Sequence, residues 1–210
     1  MSSLRRIALP ILALAAVVLV AGCGGGGSSS TSETTTEARS AASERPPLDP
    51  AKTYTVTMKT SEGTFSFTLD VKDSPNTTAS FASLVKKGFY DGLTFHRIVP
   101  GFVIQGGDPN GDGTGGPGYS VVDTPPADAK YTRGVVAMAK TGAEPPGTSG
   151  SQFFVVTGAD IGLPPDYALL GNVTKGIDVV EKIDKLGDPA DQSGTPTKKV
   201  TIDKVTIAES

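Results

Sequence analysis

The 210 residues include 26 Gly, 16 Pro and 37% apolar residues at a formal net charge of −3, a balance that suits one loop-rich globular domain with extra segments better than two domains. No basic stripe interrupts the acidic balance, so the clustered Lys and Arg that neutralise nucleic-acid phosphates are missing and that class of partner is excluded. One Cys and one His leave no internal disulfide and no thiolate metal site.

Arg5 and Arg6 precede an apolar run from Ile7 to Val20, which is shorter than the ~20 residues a membrane-spanning helix needs and reads as an export signal. The run ends in Val20, Ala21, Gly22 and Cys23, which resembles the bacterial lipobox, where the Cys is lipidated and becomes the new N-terminus. The resemblance implies a signal peptide over residues 1–22, a lipid such as palmitate on Cys23, and attachment to the outer face of the cytoplasmic membrane. From Gly24 to Pro50 there is almost no large apolar residue, so this stretch cannot bury enough surface to offset the entropy of ordering. Residues 23–50 are expected to form a disordered tether that holds the domain, residues 51–210, roughly 30 Å from the membrane.

Within the domain, β-branched and aromatic residues predict strands at Tyr54 to Thr60 and Thr64 to Leu69, joined by a turn at Ser61, Glu62 and Gly63. Ser74 before Pro75 predicts a helix N-cap, with Phe81, Leu84 and Val85 on one face and Gly88 as the stop. Further short strands are predicted at Thr94 to Val99, Val103 to Gly106, Thr132 to Ala139, Gln152 to Thr157 and Ala168 to Val173. A second helix is predicted over Gly176 to Lys185, with Ile177, Val180 and Ile183 inward and Gly187 as its stop, and a last alternating strand over Val200 to Ala208. Many short strands with two helices and no βαβ rhythm point to an antiparallel barrel, since closure removes exposed strand edges.

Gly113 to Gly118 matches GxGxxG literally, but Tyr119, Ser120, Val121 and Val122 follow in place of a helix, which excludes a dinucleotide fingerprint. Asp108, Asn110, Asp112 and Gly113 imitate a calcium loop, yet Tyr119 stands where a bidentate Glu is needed. The sequons at Asn76 and Asn172 carry little weight beside a bacterial-type export label. His96 lies within a strand, on the opposite face from Arg97, and reads as a structural residue satisfied by a local hydrogen bond, not as a general base. Ser149 and Ser151 lack a nucleophile elbow and a base, so hydrolysis is unsupported. On their own, Phe102 and Phe154 read equally well as ordinary core aromatics, and Arg97 as an exposed strand charge.

Three blocks resemble the cyclophilins in order and spacing: FHRIVPGFVIQGGD at Phe95 to Asp108, GDGTGG at Gly111 to Gly116, and GTSGSQFFVVT at Gly147 to Thr157. With AMAK at Ala137 to Lys140 and ALLGNV at Ala168 to Val173, the similarity covers about the whole of Tyr54 to Ala208. The resemblance implies a mainly β fold, a closed eight-stranded antiparallel barrel capped by two α-helices, with peptidyl-prolyl cis/trans isomerase activity and no cofactor or metal. It assigns catalysis to Arg97, Gln105 and Phe102. It assigns substrate binding to Val103, Gly113, Ala139, Lys140, Gln152, Phe154, Leu163 and Tyr167, with the backbone of Ala139 and Lys140 pairing with an extended peptide. The expected partners are proline-containing peptides and unfolded exported proteins, with the chain a monomer. The alternative is a proline-peptide-binding scaffold or chaperone module with little catalysis.

The chain departs from the family pattern in having no Trp, with Ile161 or Gly162 near the place of the pocket tryptophan, which implies weak cyclosporin binding. Tyr167 stands for a pocket histidine, Val103 for a methionine and Lys140 for an asparagine.

Overall fold

The structure, a computed structural model, describes residues 45–191 and 193–210. The expected signal peptide, Cys23 and the tether up to residue 44 lie outside the described residues. The last part of the expected tether, residues 45–50, lies on the domain surface. Leu48 packs against the core, the Asp49 N–H donates to the Tyr54 hydroxyl at 3.1 Å, and the Arg45 guanidinium sits 3.9 Å from the centre of the Tyr119 ring.

The elements run β1 (Tyr54–Thr60), β2 (Gly63–Leu69), α1 (Pro75–Lys86), β3 (Phe95–Val99), β4 (Val103–Gly106), β5 (Val121–Val122), β6 (Val135–Met138), β7 (Thr148–Ser149), β8 (Phe153–Val156), β9 (Leu169–Lys175), α2 (Ile177–Asp184) and β10 (Ile202–Glu209). Eight of the strands form one antiparallel sheet in the order β10-β1-β2-β9-β6-β8-β4-β3. β5 and β7 pair separately; at two residues each, they offer no alternation for a sequence pattern to register.

The sheet is an open, curled half-barrel and not the closed barrel expected. Its edge strands approach each other only near an isolated bridge between Thr94 and Thr201, flanked by hydrogen bonds such as Phe95 N–H to Val200 O at 3.1 Å. Beyond that point the free edge of β3 is taken by the loop after α2, with the Ile98 N–H donating to Gly194 O at 2.8 Å. Gly194 has φ +79°, and a Cβ there would lie 2.8 Å from Val99 Cγ2 and 2.9 Å from Arg97 Cγ. Only glycine lets the backbone lie this close to β3. At the other edge, Thr53 and Ser210 exchange reciprocal N–H to O bonds of 2.9 Å, which continues the β1–β10 pairing by one residue on each strand.

Both faces of the sheet are apolar along β6 and β8, and along β4 apart from Gln105. Ile104, Val136, Met138, Phe153 and Val155 point into the main core with Phe65, Phe67, Phe81, Tyr90 and Phe95. Phe153 is ringed there by Phe81, Tyr90 and Phe95 at centroid distances of 6.2, 5.9 and 5.9 Å, edge-to-face contacts that add to simple burial. The alternate residues Val103, Val135, Ala137, Phe154 and Val156 form a second apolar cluster on the other face.

α1 buries Phe81, Leu84 and Val85 as its apolar face. Ser74 occupies the N-cap position, but its side chain makes no cap bond and its hydroxyl is buried without a partner. Asp123 supplies the cap from a distant loop: its carboxylate accepts the Thr77 N–H at 2.6 Å and the Asn76 side-chain amide at 2.9 Å. An acid at a helix start also meets the positive end of the helix dipole. α2 buries Val180 and Ile183, and Glu62 anchors it by pairing with Lys182 and with Lys198 from the following loop.

Candidate active site

β3 carries a bulge. Phe95 pairs with Gly106 and Arg97 pairs with Gln105, so His96 is the extra residue on its strand. Phe95 and Ile98 both reach the core as a result, while His96 and Arg97 are both only half-buried. Simple alternation, which put His96 and Arg97 on opposite faces, is therefore broken between them. Past the bulge, a single row crosses five strands: Arg97 beside Gln105, Gln105 beside Phe154, Phe154 beside Ala137, and Ala137 beside Leu169. Directly paired residues of an antiparallel sheet share a face, so the row runs from a cation through an amide to an aromatic floor.

Around that floor the second apolar cluster unites Phe102, Val103, Ala139, Phe154, Leu163 and Tyr167, all of them residues the sequence assigned to the site. Ile161 joins them. Tyr131, which sequence reasoning passed over because no motif surrounds it, lies beneath the rim. Its hydroxyl donates to Tyr167 O at 2.6 Å and accepts the Tyr167 N–H at 2.9 Å. Burial pushes its phenol pKa above the ordinary value, while the backbone bonds partly offset this. The Phe154 and Tyr167 rings meet edge-to-face at 5.5 Å, fixing the far wall of the pocket.

The Gln105 side chain donates to the Gln152 side-chain oxygen at 3.0 Å, and Gln152 donates to Gly113 O and Gly115 O, both at 2.9 Å. Gln105 is thus held by a chain of amides ending on the glycine loop, where Gly113 takes part through its carbonyl. That loop is organised by buried Asp108, whose carboxylate accepts the N–H groups of Asn110, Asp112 and Gly113 at 2.9, 2.9 and 2.5 Å. The calcium-like spacing is a carboxylate folding its own backbone, a role that sequence reasoning missed. Beside Gln105 and Gln152 opens a groove of about 680 Å³, walled by the glycine loop, Tyr119, Ala139 and Glu144.

The Ala139 N–H donates to Gln152 O at 2.9 Å, so the carbonyl is the group of that residue left to pair with a peptide. One expectation needs correction here. His96 is not satisfied by a local hydrogen bond: both ring nitrogens are buried without a partner. Burial lowers its pKa, with Arg97 acting in the same sense and Asp108 opposing, which favours the neutral ring. Lys140 keeps its place beside the groove, but its side chain is only 3% exposed and turned into an ion pair with Asp166. Arg97, by contrast, has no carboxylate at ion-pair distance among the described residues. Among those residues there is also no cluster of three or more His, Cys, Asp or Glu able to hold a metal, and no helix long and apolar enough to cross a membrane.

Residues 55–207 match the family model described as cyclophilin type peptidyl-prolyl cis-trans isomerase/CLD. The chain is 39% identical over 155 residues to the peptidyl-prolyl cis-trans isomerase of Helicobacter pylori, covering 67% of this chain and 93% of that relative. It is 39% identical over 178 residues to the probable peptidyl-prolyl cis-trans isomerase B of Mycobacterium tuberculosis, covering 77% of this chain and 56% of that longer protein. The crystal structure of a Cryptosporidium parvum cyclophilin type peptidyl-prolyl cis-trans isomerase superposes with a TM-score of 0.67 at 32% identity, covering 74% of this chain and 98% of that one. A second crystal structure of that protein, in the presence of the dipeptide Ala-Pro, gives a TM-score of 0.66. This chain therefore belongs to the cyclophilin-type peptidyl-prolyl cis-trans isomerases, enzymes of the X-Pro bond.

Proposed function

We propose that the chain isomerises X-Pro bonds in exported proteins, with Arg97 as the electrostatic catalyst and the cluster of Phe102, Val103, Phe154, Leu163 and Tyr167 as the proline pocket. Amide resonance sets a barrier of about 18–20 kcal/mol, and uncatalysed exchange takes ~10–100 s. Reaching milliseconds requires a factor of ~10⁴, or about 5–6 kcal/mol. No bond breaks, so differential binding of the twisted state supplies all of it. As the imide twists, its nitrogen pyramidalises and the lone pair it shared with the carbonyl localises on it. A fixed cation that donates a hydrogen bond to this nitrogen stabilises the twisted state over both planar ones. Arg suits this because its guanidinium stays charged and presents a rigid fork.

The observation that carries this reading is the row in which Arg97, without a carboxylate partner among the described residues, stands beside Gln105 and Phe154 next to an apolar cluster. In this reading Gln105, fixed by Gln152, orients the guanidinium and the substrate carbonyl. The peptide runs from the pocket along the backbone at Ala139 and Lys140, with Gly113 and Gln152 at the groove side. Exchange kinetics on a short Ala-Pro peptide test it. Wild type is expected to accelerate exchange, and Arg97→Ala to lose about two orders of magnitude in kcat/KM, the scale of a lost transition-state donor. No acceleration by wild type sinks the enzymatic role and leaves the proline-peptide scaffold, whereas an equally fast Ala variant removes the arginine mechanism.

The export label rests on Arg5, Arg6, the apolar run to Val20 and the lipobox-like approach to Cys23. In this reading residues 1–22 are removed, Cys23 carries the lipid, and the domain works at the outer face of the cytoplasmic membrane on unfolded clients. Cys23→Ser is expected to release the protein from membranes, and unchanged retention would remove the anchor.

A further inference from the structure

Two separate segments wall the site. One carries Ala139 and Lys140 along the groove and continues through Thr141 to Gly147. The other carries Leu163 and Tyr167 at the proline pocket. They meet at a single ion pair, Lys140 Nζ to Asp166 Oδ2 at 2.6 Å, with Lys140 3% and Asp166 30% exposed in their side chains. The same ammonium donates to Glu144 O at 3.1 Å and Thr141 O at 3.3 Å. The ammonium is therefore engaged by oxygens of both walls, two carbonyls of its own segment and the Asp166 carboxylate of the other. A backbone bond, Gly147 N–H to Asp166 O at 2.9 Å, ties the segments a second time. The ammonium also lies 5.6 Å from the centre of the Tyr167 ring.

A buried ammonium is costly to desolvate and persists where its partners are well placed. Here the partners are spread over both walls, so the pair fixes their separation. We infer that the Lys140–Asp166 pair is a positioning latch: it holds the groove that takes the residues before proline in register with the pocket that takes the proline ring. This rests on the isomerase reading of the same site. Asp166 touches no substrate in that reading and acts through Lys140 and the adjoining Tyr167. A substrate long enough to occupy both walls feels the latch in its binding, while the Arg97 chemistry is untouched.

The test is a double-mutant cycle in Lys140 and Asp166, read by exchange spectroscopy on an Ala-Ala-Pro-Phe peptide. Asp166→Asn keeps the shape, leaves the buried ammonium unpaired, and is expected to raise KM about tenfold with kcat within about twofold of wild type. Lys140→Met is expected to raise KM as well, and the double variant to do no worse than the poorer single, because both remove one interaction. Asp166→Glu, which keeps the charge, is expected to hold KM within about threefold of wild type, and it serves as the probe if Asp166→Asn proves too unstable to assay. An unchanged KM in Asp166→Asn, single losses that multiply in the double variant, or an Asp166→Glu as poor as Asp166→Asn each overturn the latch. A wild type that fails to accelerate exchange overturns the isomerase reading itself, an outcome distinct from all of these.

Discussion

Arg97 lies directly across the β3–β4 ladder from Gln105, one step beyond the bulge at His96. The loop after α2 touches the arginine from the other side, with the Cβ position of Gly194 2.9 Å from Arg97 Cγ. Gly194→Ala is expected to cost about 1–3 kcal/mol in urea unfolding, because it combines a positive φ with overpacking. It is also expected to lower kcat/KM, since the added methyl displaces the arginine stem. Arg97→Lys keeps the charge but loses the planar fork, and is expected to remain at least about tenfold below wild type in kcat/KM.

His96 contributes to the pH dependence of stability on the acid side of neutrality. Burial holds its folded pKa below the ordinary value, so as pH falls below about 6.5 the unfolded chain takes up a proton that the folded chain resists. The unfolded state then binds more protons, and stability falls with falling pH across the window from the unfolded to the folded value. His96→Leu removes the titration along with two unpartnered nitrogens. Its urea midpoint is expected to change less than that of wild type between about pH 7 and pH 5.

Asp123 and Ser74 separate a cap that works from one that only occupies the position. Asp123→Ala removes both acceptors at the start of α1 and is expected to cost about 1–2 kcal/mol. Ser74→Ala deletes a hydroxyl that is buried without a partner and is expected to be neutral or stabilising. Chemical denaturation of the two variants side by side checks the ordering.

Tyr131 holds the rim through the two backbone bonds of Tyr167. Tyr131→Phe keeps the ring and strands a half-buried N–H and C=O, an expected loss of about 1 kcal/mol. In the isomerase reading, KM rises with it and kcat is largely kept, because the pocket wall loosens while Arg97 stays in place.

Much of the fold could be read from local chemistry. β1 and β2 alternate in the pattern of strands with one buried face, β10 does so on either side of a bulge at Asp203, and Pro75 with Phe81, Leu84 and Val85 marks α1. Both faces of β6 and β8, and of β4 apart from Gln105, are apolar, which sequence alone leaves ambiguous between a buried strand and an interior helix. The cyclophilin-like blocks resolved it. Long-range geometry was out of reach: the bulge depends on how β4 pairs, the cap depends on Asp123 arriving 46 residues after Thr77, and the open seam depends on Gly194 reaching β3 first. The residues assigned to the pocket were readable as a set because three motif blocks carry most of them. Tyr131 and Asp166 were not, since each acts through partners far along the chain.

The pairing of Thr53 with Ser210 has a consequence for protein engineering. Because Thr53 and Ser210 lie side by side, beside β1 and β10, a short linker can join them, the arrangement that circular permutation at an exposed turn elsewhere in the chain requires.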